Sequence, residues 1–197
     1  MNPRTRLMVL FAGIAAVAAV VVLYGIGSMD VHATAPPPSI LNRLKLTNSQ
    51  PLAPQIAFVD ASGRKLSLAD FEGRYVLVNL WATWCGPCIN ELPELARLQQ
   101  ALPKDRFVVA PVDVLERVDA PHLRDFLAMH AAAILPVYID AERKTQQGFV
   151  ANELPLTVLI DSYGHEIARA AGGQKWADPA SIAWMKAISA PKAEPKP

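Results

Sequence analysis

The sequence lacks residues that metal-binding, nucleotide-binding and nucleic-acid-binding proteins need. It has only two cysteines, Cys85 and Cys88. A zinc site needs two further ligands, but the sequence has no second cysteine pair, and its four histidines are isolated from one another. Nineteen Lys and Arg against eighteen Asp and Glu leave a formal net charge of +1, which argues against a nucleic-acid-binding surface. No glycine-rich nucleotide-binding pattern and no internal repeat occur. We therefore expect no metal, no cofactor and no nucleic-acid partner.

Charge is also absent from a long stretch at the N-terminus. Residues 7–26 contain no charged side chain, and as a helix they would rise roughly 30 Å, about the hydrocarbon thickness of a bilayer. Arg4 and Arg6 precede this stretch, and no Lys or Arg follows it until Arg43. The positive-inside bias therefore predicts that residues 1–6 are cytoplasmic and that the rest of the chain is exported.

A cleaved signal peptide is the alternative interpretation, because residues 33–35 form a small-x-small cleavage pattern. The apolar stretch is longer than the core of a typical signal peptide, and Pro36 follows the pattern directly, where proline generally blocks cleavage. We therefore predict an uncleaved single-pass anchor in the inner membrane, with the C-terminal domain in the periplasm. That compartment is oxidising, which matters for a pair of thiols.

Composition divides the rest of the chain into three parts. Residues 27–54 are rich in Pro, Ser, Thr, Asn and Gln, which predicts a flexible tether. Residues 55–189 carry the apolar patterns of one folded domain, which we expect to be monomeric. Residues 190–197 are predicted to be a disordered tail.

Strands alternate with helices in the folded domain. Residues 75–81 form a nearly continuous apolar run, as expected of a strand that is covered on both faces. An apolar stripe over residues 89–102 predicts a helix and residues 107–114 predict a strand, so the three elements form a parallel, right-handed crossover. Further strands are predicted at 56–59, 65–67, 137–140, 156–161 and 166–170, and further helices at 119–129 and 178–188.

The two cysteines lie in the stretch WATWCGPCINELP, directly after the predicted central strand. At the start of a helix, free backbone N–H groups and the helix dipole stabilise a thiolate, so Cys85 is the predicted nucleophile. Pro87 fits the first helical turn, and Cys88 lies close enough to form a disulfide with Cys85. A structural clasp would close a loop of only four residues, and a zinc site would lack two ligands, so a redox pair is favoured.

The segments VLVNLWATWCGPC and LPLTVLIDSYGHEIARAAGG resemble the thioredoxin superfamily. Together with the N-terminal apolar stretch they are similar to the TlpA-like, membrane-anchored branch, which includes the cytochrome c maturation thioredoxins. The resemblance covers residues of about 55 to 188. It implies an α/β fold with a thioredoxin-like mixed β-sheet flanked by helices, N-terminal strands and a central insert, preceded by one transmembrane helix.

The resemblance also implies a substrate-binding surface around the cysteines. In the family, the proline at the position of Pro155 has a cis peptide bond, and the backbone of the preceding residue, here Leu154, receives the substrate as an added strand. Trp84, Gly86 and Pro87 complete this surface. Without the resemblance, Pro155 could equally be an ordinary proline at the start of a strand.

Glu91 matches the acidic position of the TlpA-like pattern C-x-x-C-x-x-E-x-P, and the resemblance implies that it accepts the proton of the buried thiol, here Cys88. The alternative is a solvated glutamate favoured by the helix dipole. Plain thioredoxin has an aspartate where this chain has Asn79, and an amide cannot exchange a proton at neutral pH. The remaining tryptophans are expected to be packing residues: Trp81, Trp176 and Trp184.

These features predict a membrane-anchored, periplasmic thiol:disulfide oxidoreductase that reduces disulfides in exported proteins. By resemblance, its targets are proteins of cytochrome oxidase copper-site or cytochrome c biogenesis, and a membrane dithiol donor supplies its electrons. A disulfide oxidase or isomerase of the same fold is the first alternative, although Gly86-Pro87 is the dipeptide of the reductant thioredoxin. A copper-binding chaperone and a thiol peroxidase are further alternatives.

Overall fold

The computed structural model describes residues 35–114, 119–140 and 142–191. The predicted cytoplasmic N-terminus, the anchor at residues 7–26 and most of the predicted tail lie outside these ranges. Within them, no helix is both long and apolar enough to cross a bilayer. The fold belongs to the unit that begins at Pro36.

Strands and helices alternate through most of this unit. Within the described ranges the strands are β1 Lys45–Leu46, β2 Phe58–Asp60, β3 Lys65–Leu66, β4 Tyr75–Trp81, β5 Phe107–Asp113, β6 Tyr138–Ile139, β7 Leu156–Ile160 and β8 Glu166–Ala171. The helices are α1 Gly86–Ala101, α2 Ala120–Met129, α3 Lys144–Gly148 and α4 Pro179–Ile188, with a 3-10 helix at Leu68–Phe71. The predicted elements are confirmed within three residues at each end, whereas β1 and α3 were not predicted.

One mixed sheet contains the eight described strands in the order β1-β8-β7-β4-β5-β6-β2-β3. The neighbours β4 and β5 are parallel, which confirms the predicted crossover through α1, and β5 and β6 are parallel too. The strand β7 runs antiparallel to β4, with Leu80 opposite Leu156. The end of β4 that leads into the cysteine motif therefore lies beside the start of β7.

Two apolar clusters cover the two faces of the sheet. Because side chains alternate along β4, Leu77 and Trp81 join one cluster, which also contains buried side chains of α1, α2 and α4. Val78 and Leu80 join the other cluster, with Phe149 just after α3. Strand β4 is buried on both faces, as its continuous apolar run predicts.

The prediction of a flexible tether is wrong for its second half. Leu41 and Leu44 are 1% and 4% exposed and belong to the helical cluster, the one that contains buried side chains of α1, α2 and α4. Strand β1 then pairs with β8, and Thr47 donates its backbone N–H to the carbonyl of Ile167 over 2.9 Å. The polar, proline-rich composition concealed two leucines, three residues apart, whose burial draws the segment onto the domain. The folded unit therefore begins well before residue 55.

Candidate active site

The cysteine pair lies at the junction between the central strand and the first helix. Cys85 is the N-cap of α1, with Pro87 in the first turn, as predicted. The two cysteines form a disulfide with 5.2 Å between their Cα atoms, and the backbone N–H of Cys88 donates to Cys85 Sγ over 3.3 Å. Cys85 is 5% exposed and Cys88 1%, so Cys85 is the sulfur that another molecule reaches more easily.

An open groove of about 340 Å³ lies beside Cys85. It is lined by Trp84, Cys85, Gly86, Pro87, Gln146, Asn152, Glu153 and Leu154. Trp84 is 63% exposed, which is unusual for so large an apolar side chain. Five residues that were predicted to face a substrate or attack it are thus brought together in one surface.

The segment before Pro155 forms one wall of this groove. The Leu154–Pro155 peptide bond is cis, as the resemblance implied. Among the described residues, Asn152, Glu153 and Leu154 form no backbone hydrogen bond with other parts of the chain. Their backbone groups are therefore available to an extended segment of another protein.

Three residues of this groove were not predicted: Gln146, Asn152 and Glu153. Gln146 belongs to the short helix α3, whose sequence shows no apolar periodicity. Asn152 and Glu153 lie directly before Leu154, and that proximity to the predicted substrate-binding backbone was the one signal that could have identified them.

Glu91 lies three residues after Cys88 on α1 and is buried, with 2% of its surface exposed. Its Oε1 accepts the backbone N–H of Gln174 over 3.1 Å and the indole N–H of Trp176. Its Oε2 accepts the side-chain N–H of Asn79 over 3.2 Å. The alternative of a solvated surface glutamate is therefore wrong, because the loop after β8 and the strand β4 cover this face of α1.

Burial raises the pKa of Glu91 from its ordinary value of 4.5 to about 7. The hydrogen bonds from Trp176, Gln174 and Asn79 act in the opposite direction, because each donor favours the ionised carboxylate. The nearby charge of Glu94 adds a smaller upward contribution. A carboxyl group with such a pKa can both accept and release a proton near neutral pH.

Asn79 orients this carboxylate. It is 1% exposed, and its amide N–H group also contacts Thr157 Oγ1 on β7 over 2.9 Å. The amide thus contributes hydrogen bonds where plain thioredoxin contributes a carboxyl group. An amide does not exchange a proton at neutral pH, so Asn79 can orient the carboxyl group of Glu91 but cannot take its place as a proton acceptor.

The predicted role of Trp176 as a packing residue was incomplete. Its side chain is fully buried, yet its indole N–H donates to Glu91. A buried indole N–H usually finds a partner, and this was the signal available in the sequence. Trp81 does lie in the core as predicted, with its ring 5.8 Å from that of Phe126.

Metal ligands do not gather around the cysteines. Within the ranges that the structure describes, no three His, Cys, Asp or Glu side chains lie close enough together to hold a metal ion.

Comparisons with known proteins agree with this geometry. The thiol-disulfide oxidoreductase ResA of Bacillus subtilis (strain 168) is 30% identical over 112 residues, which are 57% of this chain and 61% of that protein. The chain thus spans less than two thirds of the length of this relative.

Solved structures share the architecture. A putative thiol:disulfide interchange protein DsbE from Chlorobium tepidum superposes with a TM-score of 0.61 at 25% identity, over 73% of this chain and 99% of the other. The thioredoxin domain of a thiol-disulfide oxidoreductase from Bacteroides vulgatus gives a TM-score of 0.59 at 22% identity, over 71% and 96%. The predicted thioredoxin-like α/β fold is confirmed.

A family model agrees with these individual likenesses. The model of the AhpC/TSA family matches residues 50–182, which include β2 to β8, the cysteine pair and Glu91. The protein therefore belongs to the AhpC/TSA family of thioredoxin-like proteins.

Proposed function

We propose that this protein is a thiol:disulfide oxidoreductase that reduces disulfides in exported proteins. The observation that carries the proposal is the Cys85–Cys88 disulfide at a helix N-terminus, with an open groove beside Cys85 and the buried carboxyl group of Glu91 three residues after Cys88. The names of similar proteins support the same reaction class.

The first step belongs to Cys85 in the reduced protein. Its thiolate is stabilised by the N-terminus of α1 and attacks one sulfur of a target disulfide. The target S–S bond breaks, a mixed disulfide forms between Cys85 and the target, and the released target sulfur takes a proton from water. The free backbone of Leu154 holds the target segment beside the reacting sulfur.

The second step belongs to Cys88. Its thiol loses a proton to Glu91, less than one turn further along the buried side of α1. The new thiolate attacks Cys85 Sγ and releases the second target sulfur, which takes a proton in turn. The target has then gained two electrons, and the Cys85–Cys88 disulfide of the structure is restored.

Reduction of this disulfide needs an electron source. A membrane dithiol donor fits an exported protein that is anchored through residues 7–26 and acts as a monomer in the periplasm. Cysteine pairs that await copper or haem, as in cytochrome oxidase or apocytochrome c, are the proposed targets.

Membrane extraction tests the proposed anchor. The protein should stay in the membrane at high salt and should retain residues before Pro36. Release by salt, or a mature protein that starts at Pro36, would exclude the anchor.

Trapping tests the reaction. The Cys88→Ser variant forms the mixed disulfide but cannot resolve it, so it should accumulate adducts with exported proteins that dithiothreitol releases. The matched control is the variant that also carries Cys85→Ser, which should accumulate none. Adducts that persist in this double variant, or no adducts with Cys88→Ser, would contradict the proposed mechanism.

A further inference from the structure

The groove beside Cys85 carries a single formal charge among its lining residues that the structure describes. That charge belongs to Glu153, whose side chain is exposed. Glu153 takes part in none of the ion pairs formed among the described residues. Its carboxylate is therefore available to a charge on another molecule.

The position of Glu153 places this charge along the path of a bound segment. It lies between Asn152 and Leu154, in the stretch whose backbone groups have no backbone partner within the described ranges. A target segment that pairs with this backbone runs directly past the carboxylate.

Trp84 gives the same groove a second feature that suits a cation. Its indole is 63% exposed and lines the groove together with Glu153. Lysine and arginine side chains are attracted to the face of an indole ring and to carboxylates, whereas acidic side chains are repelled by both.

We propose that Glu153 is a specificity-determining residue, which selects targets that carry a lysine or arginine close to the reacting cysteine. The inference rests on the proposed disulfide reduction and adds its substrate class. Glu153 acts on the association of the target and on formation of the mixed disulfide. It leaves the electron and proton balance of the two steps unchanged. Because the ion pair between Glu153 and the target's lysine or arginine is exposed, salt weakens the selection.

Three peptides test this selection. Each holds one disulfide, and they differ only in one residue beside a cysteine, which is Lys, Gln or Glu. The second-order rate constant for their reduction is measured with the full-length reduced protein in detergent at low and high salt. The parent is compared with Glu153→Gln and with Glu72→Gln, which removes an exposed charge outside the groove.

At low salt we expect the parent to reduce the Lys peptide about three- to fivefold faster than the Glu peptide, the range that one exposed ion pair supports. Glu153→Gln and high salt should each bring the two rates to within about twofold, while Glu72→Gln keeps the full preference. Equal rates in the parent, or a preference that survives Glu153→Gln, would overturn the assignment of Glu153. Reduction of none of the peptides would instead contradict the proposed function.

Discussion

The indole N–H of Trp176 donates a hydrogen bond to Oε1 of Glu91, although the two residues are 85 positions apart in the chain. Trp176 belongs to the segment between β8 and α4, and Glu91 to the second turn of α1. With Gln174 and Asn79, Trp176 holds a buried carboxylate in one orientation by donors from two parts of the fold. A buried carboxylate that is fixed by three donors is what the proposed role of Glu91 as a proton acceptor requires.

Trp176→Phe removes a donor that favours the ionised carboxylate, so the pKa of Glu91 should rise above its value of about 7. Resolution of the mixed disulfide requires the ionised form, and its pH profile should therefore shift upwards by about one unit. Quenched-flow kinetics across the pH range measures this shift. The control is Trp184→Phe, which makes the same change in the same apolar cluster. Trp184 is not one of the three donors to Glu91. Identical pH profiles of resolution for the two variants would show that Trp176 is only a packing residue.

Glu91→Gln should slow the resolution of the mixed disulfide by about 100-fold, because Cys88 loses its proton acceptor. Formation of the mixed disulfide depends on Cys85 and should change little. Single-turnover kinetics with a fluorescent disulfide peptide separates the two steps. Equal slowing of both steps would show that Glu91 supports the structure of the site and does not accept the proton.

Glu91 should also make the stability of the oxidised protein depend on pH. Its pKa is about 7 in the folded state against an ordinary value of 4.5, so between these values the folded protein keeps a proton that the unfolded chain has lost. The free energy of unfolding should therefore fall as pH rises from 4.5 to 7, by about 3 kcal/mol for the full difference.

Urea unfolding at several pH values measures this slope, and Glu91→Gln should remove it. Well below pH 4.5 the carboxyl group of Glu91 is protonated in both the folded and the unfolded parent, so its contribution should be constant there. A parent and a variant with the same pH dependence would show that burial does not raise the pKa of this group.

Leu41→Ala should destabilise the domain by about 2–4 kcal/mol, since the side chain is almost fully buried in the helical cluster. Leu52→Ala, at a leucine that is 71% exposed, should change stability by less than about 0.5 kcal/mol. Chemical denaturation of both variants measures the difference. If both substitutions changed the stability by similarly small amounts, residues 36–54 would be a tether, as first predicted.

Local patterns allowed most elements to be predicted from the sequence. Strand β4 has the predicted bounds because a strand buried on both faces needs a continuous apolar run. Cys85, Pro87 and Cys88 lie as predicted because helix-start chemistry depends on neighbouring residues. The groove around Leu154 was predicted from the family resemblance rather than from physical reasoning about Pro155.

Long-range contacts account for what the sequence did not reveal. The burial of Glu91 depends on Gln174 and Trp176, which are 83 and 85 residues away in the chain. Leu41 reaches the core from a segment whose composition is that of a tether. Neither contact leaves a periodic pattern near the residue concerned, so only the tertiary structure identifies it.

The equilibrium reduction potential of the Cys85/Cys88 pair tests the proposed direction of electron flow most directly. It is measured on the protein poised against glutathione and dithiothreitol buffers. A reductant of exported proteins should have a potential below about −220 mV, in the range of thioredoxin and the more reducing glutaredoxins. A potential of about −120 to −180 mV, as in DsbA and protein disulfide isomerase, would mean that disulfides pass from this protein to its targets and would contradict the proposed function.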